Sequence, residues 1–151
     1  MKRKYEGEVV AVCRSEEKGT RKSEIESGEL ITDFGLKGDA HAGDWHRQIS
    51  LLGEESILKM KILVDKEFDF NYGDFAENIT TSGIFLYDLP VGSLLKIGDE
   101  VLLEVTQIGK ECHHDCEIYK KVGMCIMPSE GIFARVKKGG EIKAGDKIEG
   151  L

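Results

Sequence analysis

Thiol, imidazole and ammonium groups are concentrated in one short segment, Gly-Lys-Glu-Cys-His-His-Asp-Cys at residues 109–116. Positive neighbours lower the pKa of a thiol and raise its thiolate fraction, which is the form that attacks electrophiles and binds metals. Cys112 has Lys110 on one side and two histidines on the other. We therefore expect Cys112 to act as a reactive or metal-ligating thiolate.

The same segment also permits a zinc site. If a helix begins here, Cys112 and Cys116 share one face at a spacing of i, i+4, and His113 or His114 could join them. No Cys-x-x-Cys pair is present and no fourth ligand is evident, so this pattern is not a strong zinc signature. A zinc-stabilised binding module without enzymatic activity stays open as an alternative.

A second polar segment, residues 38–48, holds two Gly, two Asp, two His, an Arg and the only Trp within eleven residues. Glycines let a backbone approach a ligand closely, and His and Arg bind phosphate or metal-bound oxygens. His41, His46 and Arg47 are therefore candidate binding residues. A surface loop with turns and solvated histidines explains the same composition.

Two further segments contain single candidate residues. In the stretch 75–83, Asn78 could offer neutral hydrogen bonds to a polar ligand, although a capped turn between strands fits equally well. In the stretch 128–135, Arg135 could hold a phosphate or carboxylate, or be an ordinary charge on a strand.

Short strands with one helix must position these groups. Residues 8–13, 48–52 and 100–107 have the β-branched content or alternation of strands, and Cys13 in the first is expected to be a buried apolar side chain. Residues 53–55 begin the best helix candidate, with an acidic first turn. The polar stretch 14–27 is expected to form an exposed loop or hairpin.

One local pattern occurs twice, at residues 92–101 and 139–148, and reads Gly-x-x-[Leu/Ile]-Lys-x-Gly-Asp-x-[Val/Ile]. A Gly-Asp pair between short apolar stretches is typical of a tight turn, because Gly reaches positive φ and Asp bonds nearby backbone. The two copies are too short to be solenoid repeats. They predict the same turn used twice in a β-barrel.

Length and composition limit the remaining possibilities. The chain has 151 residues, 40% of them hydrophobic, and a net charge of −7. These values predict one domain over residues 1–151. The many short strands, the repeated turn and the scarcity of helices predict a mainly β, barrel-like fold with one or two short helices. The acidic charge argues against nucleic acid and anionic membranes as partners. A basic start without an apolar region, and only four cysteines, indicate a cytoplasmic protein.

Taken in order, several segments resemble the MOSC domain family, named after the C-terminal domain of molybdenum cofactor sulfurase. The resemblance covers nearly the whole chain, and only the ordered set of short motifs is specific. The matching residues are Gly38–Gly43, Arg47–Leu51, Phe75–Ile79, Gly83, Val91–Asp99, Val105–Gln107, Cys112 and Gly145–Asp146.

The resemblance implies a MOSC-like β-barrel that binds molybdenum cofactor or carries sulfur, with Cys112 as thiolate ligand of molybdenum or persulfide site. It implies a pterin cofactor as partner, and a sulfur donor or the apoprotein of a molybdoenzyme as further partners. A small molybdenum-dependent reductase of N-hydroxylated compounds is an alternative. The candidate cofactor-binding residues are Arg47, His41, His46, Lys110, Asn78 and Arg135.

The sequence departs from the family pattern in two ways. Many relatives have Pro and Arg just before the cysteine, whereas this chain has Lys110 there. A lysine supplies a positive charge but not a bidentate guanidinium fork. The N-terminal β-barrel domain of the larger molybdenum reductases is also missing from this sequence. Both departures favour a carrier or accessory factor over an independent enzyme.

Overall fold

The computed structural model describes residues 5–18, 20–64, 71–109 and 130–151. These residues form eleven strands, one α-helix and a single 3-10 turn at Leu86–Asp88. The elements in chain order are β1 (Glu6–Arg14), β2 (Ser23–Ile25), β3 (Ser27–Ile31), β4 (Gly35–Leu36), β5 (Ile49–Gly53), α1 (Glu54–Val64), β6 (Ile79–Ser82), β7 (Leu94–Ile97), β8 (Val101–Ile108), β9 (Ile132–Lys138), β10 (Gly140–Lys143) and β11 (Lys147–Gly150).

Seven of the described strands close into a barrel in the order β1, β11, β7, β8, β9, β5 and β6, with β6 pairing back to β1. Strand β2 extends from β1, while β10, β3 and β4 form a separate small sheet. Neighbouring barrel strands are antiparallel except β5 and β6, which are parallel. Parallel neighbours need a long crossover connection, and α1 lies within it. The predicted mainly β barrel is confirmed.

Alternating apolar residues fill the barrel interior. Along β8, Val101, Leu103 and Val105 are at most 1% exposed, while the residues between them are half-buried. All five residues of β5 are buried, as a strand covered on both faces requires. Each large aliphatic side chain buried in this way stabilises the fold by about 1.5–3 kcal/mol. The predicted strands at 8–13, 48–52 and 100–107 are confirmed with small shifts in their ends.

Helix α1 begins with the acidic pair Glu54 and Glu55, where the helix dipole favours negative charge. Ile57 and Met60 face the protein and are buried. Leu58 and Ile62 lie on the outer face and are 52% and 80% exposed. The helix predicted to begin at residues 53–55 is confirmed.

The repeated Gly-Asp pattern forms two turns, as predicted. Gly98 and Gly145 have φ values of 60° and 98°, which favour glycine. The first turn joins the paired strands β7 and β8, whereas the second leads from the small sheet into the barrel at β11. The first turn lies against strand β11, since the Gly98 amide donates to the Lys147 carbonyl at 2.8 Å.

The polar stretch 14–27 is more ordered than the sequence suggested. Ser23–Ile25 pairs with β1 as strand β2, which agrees with the hairpin part of the prediction. The expected exposure is wrong for Lys22, which is only 3% exposed. Its carboxylate partner, Asp39, lies 17 positions further along the chain, so the local composition carried no sign of burial.

Candidate functional site

The loop between β4 and β5 is bonded to the end of β8 through Gln107. Arg47 Nε donates to Gln107 Oε1 at 3.0 Å, and His46 Nε2 lies 3.0 Å from the same oxygen. The Gln107 amide nitrogen donates to the Gly109 carbonyl at 2.7 Å, which fixes the orientation of the amide. An amide oxygen only accepts, so His46 Nε2 is the donor in its contact. Two of the predicted binding residues therefore meet at one glutamine.

The terminal nitrogens of Arg47 are available for a ligand. Its guanidinium carbon lies 5.3 Å from the ring centre of Phe133, in cation–π geometry. The Nε atom is used by Gln107, but the two η nitrogens have no hydrogen-bond partner among the described residues. A guanidinium held on one edge and stacked on one face can present its other edge to a phosphate or carboxylate.

The end of β8 adjoins the start of β9 at this site. The Gly109 amide donates to the Gly131 carbonyl at 2.7 Å. The chain between these two glycines contains Lys110, Cys112 and Cys116, and residues 110–129 lie outside the described part of the structure. The roles predicted for Lys110 and Cys112, and the zinc alternative, therefore stay predictions.

His41 lies at the other end of the same loop. Its Nδ1 atom is 3.0 Å from the Nζ atom of Lys22, which is ion-paired with Asp39 at 2.8 Å. The Trp45 ring is near both loop imidazoles, with centroid distances of 6.4 Å to His41 and 5.8 Å to His46. The sequence analysis did not single out Lys22, because nothing near it in the chain indicates its distant partner.

Arg135 lies between two carboxylates. Its Nε atom is 2.9 Å from Asp33 Oδ1, and its Nη2 atom donates to Asp44 Oδ1 at 2.9 Å. The contact with Asp44 ties the loop to β9. Two carboxylates already balance the charge of this guanidinium, so it is less suited than Arg47 to attract an anion.

Asn78 is fully buried and bonds to neighbouring strands. Its Oδ1 atom accepts from the Ser50 amide at 2.9 Å, and its Nδ2 atom donates to the Cys13 carbonyl at 3.1 Å. The side chain thus joins β5 and β1 in the interior. Its predicted role in binding a cofactor stays a prediction.

Glu77, beside Asn78, is a buried acid that sequence reasoning did not select. Its carboxyl accepts from the Gly73 and Phe75 amides and from the Thr80 hydroxyl. Burial raises the pKa of Glu77 in spite of these bonds. Two of these donors belong to the turn before β6 and the third belongs to β6 itself, so Glu77 joins the turn to the strand.

Two negative findings concern the described residues only. No group of three or more His, Cys, Asp or Glu side chains there is arranged to hold a metal ion. In the same part of the chain, no helix has the length and apolar character that a membrane crossing requires.

The protein is a closed barrel with a polar loop bonded to one end. This loop carries a guanidinium and two imidazoles, so the fold and the site define a class of small β-barrel domains with a candidate anion site. The sequence matches the MOSC domain over residues 38–149, and the chain belongs to the MOSC domain family. The resemblance noted in the sequence is therefore confirmed. No curated protein matches the chain in sequence.

Several solved structures share the fold. The YUAD protein from Bacillus subtilis aligns with a TM-score of 0.81 at 17% identity, covering 99% of this chain and 98% of that one. YiiM from Escherichia coli aligns with a TM-score of 0.70 at 20% identity, over 97% and 69% of the two chains. YiiM from Geobacillus stearothermophilus gives 0.66 at 18% identity, over 96% and 73%. At these identities the similarity establishes the fold alone.

Proposed function

We propose that this MOSC domain binds molybdenum cofactor, with Cys112 as the thiolate ligand of the metal. The observation that carries the proposal is the pair His46 and Arg47, both bonded to Gln107 at the end of β8. The cofactor supplies a redox-active metal held by sulfur and a pterin with a phosphate. The chain supplies the binding residues, the orientation and the charge around it.

The described residues fit an anionic cofactor. Arg47 is half-buried, stacked on Phe133 and unpartnered at its η nitrogens within the described residues, so a phosphate could accept two parallel hydrogen bonds there. The overall charge of −7 opposes anions at long range, so binding of a phosphate depends on a local cation such as Arg47.

Chain connectivity supports the proposal, because it limits how far Cys112 can be from this cluster. Cys112 follows Gly109 by three residues, so the two Cα atoms can be at most about 11 Å apart in any conformation. Gly109 itself accepts a hydrogen bond from Gln107, the residue that holds Arg47 and His46. A thiolate ligand and a phosphate-binding guanidinium can therefore serve one extended ligand.

The test is the molybdenum and pterin content of protein purified anaerobically from a host that makes the cofactor. Cys112→Ser is compared with Cys116→Ser, a matched thiol removal four residues away. The proposal predicts near-stoichiometric molybdenum and pterin in the wild type and in Cys116→Ser, and loss of both in Cys112→Ser.

Two other results would contradict cofactor binding, and a third would contradict the role of Cys112. Zinc lost in both variants would identify a zinc-stabilised module. Metal-free protein bearing sulfane sulfur on Cys112 would identify a sulfur carrier. Equal molybdenum in all three proteins would remove Cys112 from the ligand set. Circular dichroism of each variant separates loss of ligand from loss of fold.

A further inference from the structure

A buried Lys–Asp pair lies directly behind His41. The side chains of Lys22 and Asp39 are both 0% exposed, and their charged atoms are 2.8 Å apart. Burial raises the pKa of a carboxyl, but at Asp39 contacts with His41 and Lys22 outweigh burial and hold its pKa well below the usual range. Burial lowers the pKa of Lys22, and the bond to Asp39 opposes that change. The 2.8 Å contact between these two fully buried groups is that of an ammonium donating to a carboxylate, since a buried charge needs a paired opposite charge.

The three N–H bonds of the Lys22 ammonium have three acceptors. Its Nζ atom lies 2.8 Å from Asp39 Oδ1, 3.3 Å from Ser15 Oγ and 3.0 Å from His41 Nδ1. An ammonium has no lone pair, so Nδ1 must be the acceptor. Asp39 Oδ2 is 3.7 Å from Nδ1, beyond hydrogen-bond distance, so this carboxylate acts on the imidazole as a nearby charge and bonds directly to the His41 backbone amide instead. Neutral His41 therefore carries its proton on Nε2.

The backbone of His41 is fixed on both sides as well. Its amide donates to Asp39 Oδ2 at 3.0 Å, and its carbonyl accepts from the Trp45 indole at 2.7 Å. The imidazole and indole planes are nearly parallel, at 5°. The remaining polar atom, Nε2, has no partner among the described residues, and the side chain is 22% exposed. An oriented N–H group without an acceptor in the described part of the chain can donate to a ligand.

The surroundings of this N–H group favour a negative ligand atom. The ammonium of Lys18 lies 4.9 Å from the Trp45 ring centre, on the aromatic ring beside His41. Trp45 also contacts His46, the neighbour of Arg47, so the cationic and N–H donor groups of this loop lie along one stretch of surface. Anionic oxygens form the strongest hydrogen bonds with such donors.

We propose that His41 donates a hydrogen bond from Nε2–H to an anionic oxygen of the bound ligand, and that Lys22 and Asp39 are positioning residues that impose this tautomer. The inference rests on the proposed function for its ligand, whose anionic oxygens belong to a phosphate or to an oxygenated metal. The arrangement is the reverse of an Asp–His pair, because a cation rather than an anion faces Nδ1. In the neutral imidazole the donor is therefore Nε2–H.

The tautomer is tested by long-range ¹H–¹⁵N NMR of histidine-labelled protein at neutral pH, without cofactor. The proposal predicts a protonated Nε2 and an unprotonated Nδ1 for His41. The double variant Lys22→Met with Asp39→Asn removes the ion pair without leaving a buried charge, and is expected to lose the tautomer preference. An Nδ1–H tautomer in the wild type, or no change in the folded double variant, would overturn the positioning role.

Ligand contact is tested by titrating the same samples with inorganic phosphate and, separately, with molybdate. Saturable shifts of the His41 resonances are expected with at least one of them, and the stronger binder identifies the source of the oxygen. Binding should weaken about tenfold or more in His41→Phe, and much less in His41→Gln, which retains an N–H donor. Equal binding by both variants, or no shift with either anion, would refute the donor role.

These readouts are independent of the molybdenum content. A protein with the Nε2–H tautomer and phosphate-induced shifts, but without molybdenum after anaerobic purification, would support the role of His41 and contradict the proposed function. A molybdenum-loaded protein in which His41 is an Nδ1–H tautomer would do the opposite.

Discussion

Arg47 donates to Gln107 across 60 positions of sequence, at 3.0 Å, and this bond joins the polar loop before β5 to the end of strand β8. The loop has no regular structure of its own at this point, so the bond determines where the guanidinium lies. Gln107 also bonds to Gly109, and through it the loop is coupled to the residue that precedes the Cys112 segment.

Two substitutions of Gln107 should separate the geometric role of its bond to Arg47 from the effect of charge at position 107. Gln107→Met removes the acceptor for Arg47, whereas Gln107→Glu retains an acceptor and adds a negative charge beside the guanidinium. Both variants lose the bond to Gly109, and Gln107→Met also loses the bonds from Arg47 and His46, so we expect its thermal midpoint to fall further. Gln107→Glu should nevertheless bind inorganic phosphate about tenfold or more weakly than Gln107→Met, because the added charge opposes the anion. Calorimetric titration measures the affinities, and equal weakening would contradict a charge-based site.

The two arginines of the site should differ in their effect on anion binding. Arg47→Gln removes a guanidinium whose η nitrogens are free of partners among the described residues, and we expect phosphate affinity to fall about tenfold or more. Arg135→Gln removes a guanidinium already between Asp33 and Asp44, and a smaller loss is expected. If Arg135→Gln has the larger effect on affinity, the assignment of Arg47 as the anion-binding arginine is wrong.

Acid should weaken the contribution of Asp39 to stability. Its pKa in the folded protein is below the ordinary value of 3.8, so its stabilising effect is present above that value and is lost as the pH falls through the folded pKa. The free energy of unfolding should therefore differ most between wild type and Asp39→Asn at neutral pH. That difference should shrink as the pH falls below about 4. Urea titrations across this range measure it, and a constant difference would show that Asp39 is not a charged partner of Lys22.

The cysteines should differ sharply in reactivity. Cys13 is 0% exposed in β1, and burial together with the nearby Glu77 carboxylate raises the pKa of its thiol. We expect native protein treated with iodoacetamide to be modified at Cys112 and to remain unmodified at Cys13. Peptide mass spectrometry after a short reaction gives the ratio, and unfolded protein provides the control in which both react. Comparable modification of Cys13 in the native protein would contradict its inert, structural character.

The local elements were predictable because their signals are contained within short windows. The alternation of Val101, Leu103 and Val105, and the acidic start of α1, each depend on neighbours in sequence. The Gly-Asp turns at Gly98 and Gly145 have the same property. The barrel was predicted from the repeated turn and the many short strands, and the family pattern implied the same fold.

The site was only partly predictable, because its contacts join distant residues. His41, His46 and Arg47 stood out by composition, but their partners Lys22 and Gln107 lie 19 and about 60 positions away. Lys22 occurs in a polar stretch that indicates solvent, and only pairing with Asp39 makes its burial tolerable. Arg135 resembles a free cation in sequence, whereas two aspartates from one distant region surround it.

The most direct test of the account is X-ray absorption at the molybdenum edge of anaerobically purified protein, because it counts the sulfur atoms bound to the metal. The account predicts one more sulfur ligand in the wild type and in Cys116→Ser than in any residual molybdenum retained by Cys112→Ser. An identical sulfur count in all three proteins, or a wild type in which every sulfur is explained by the pterin alone, would contradict Cys112 as the metal ligand.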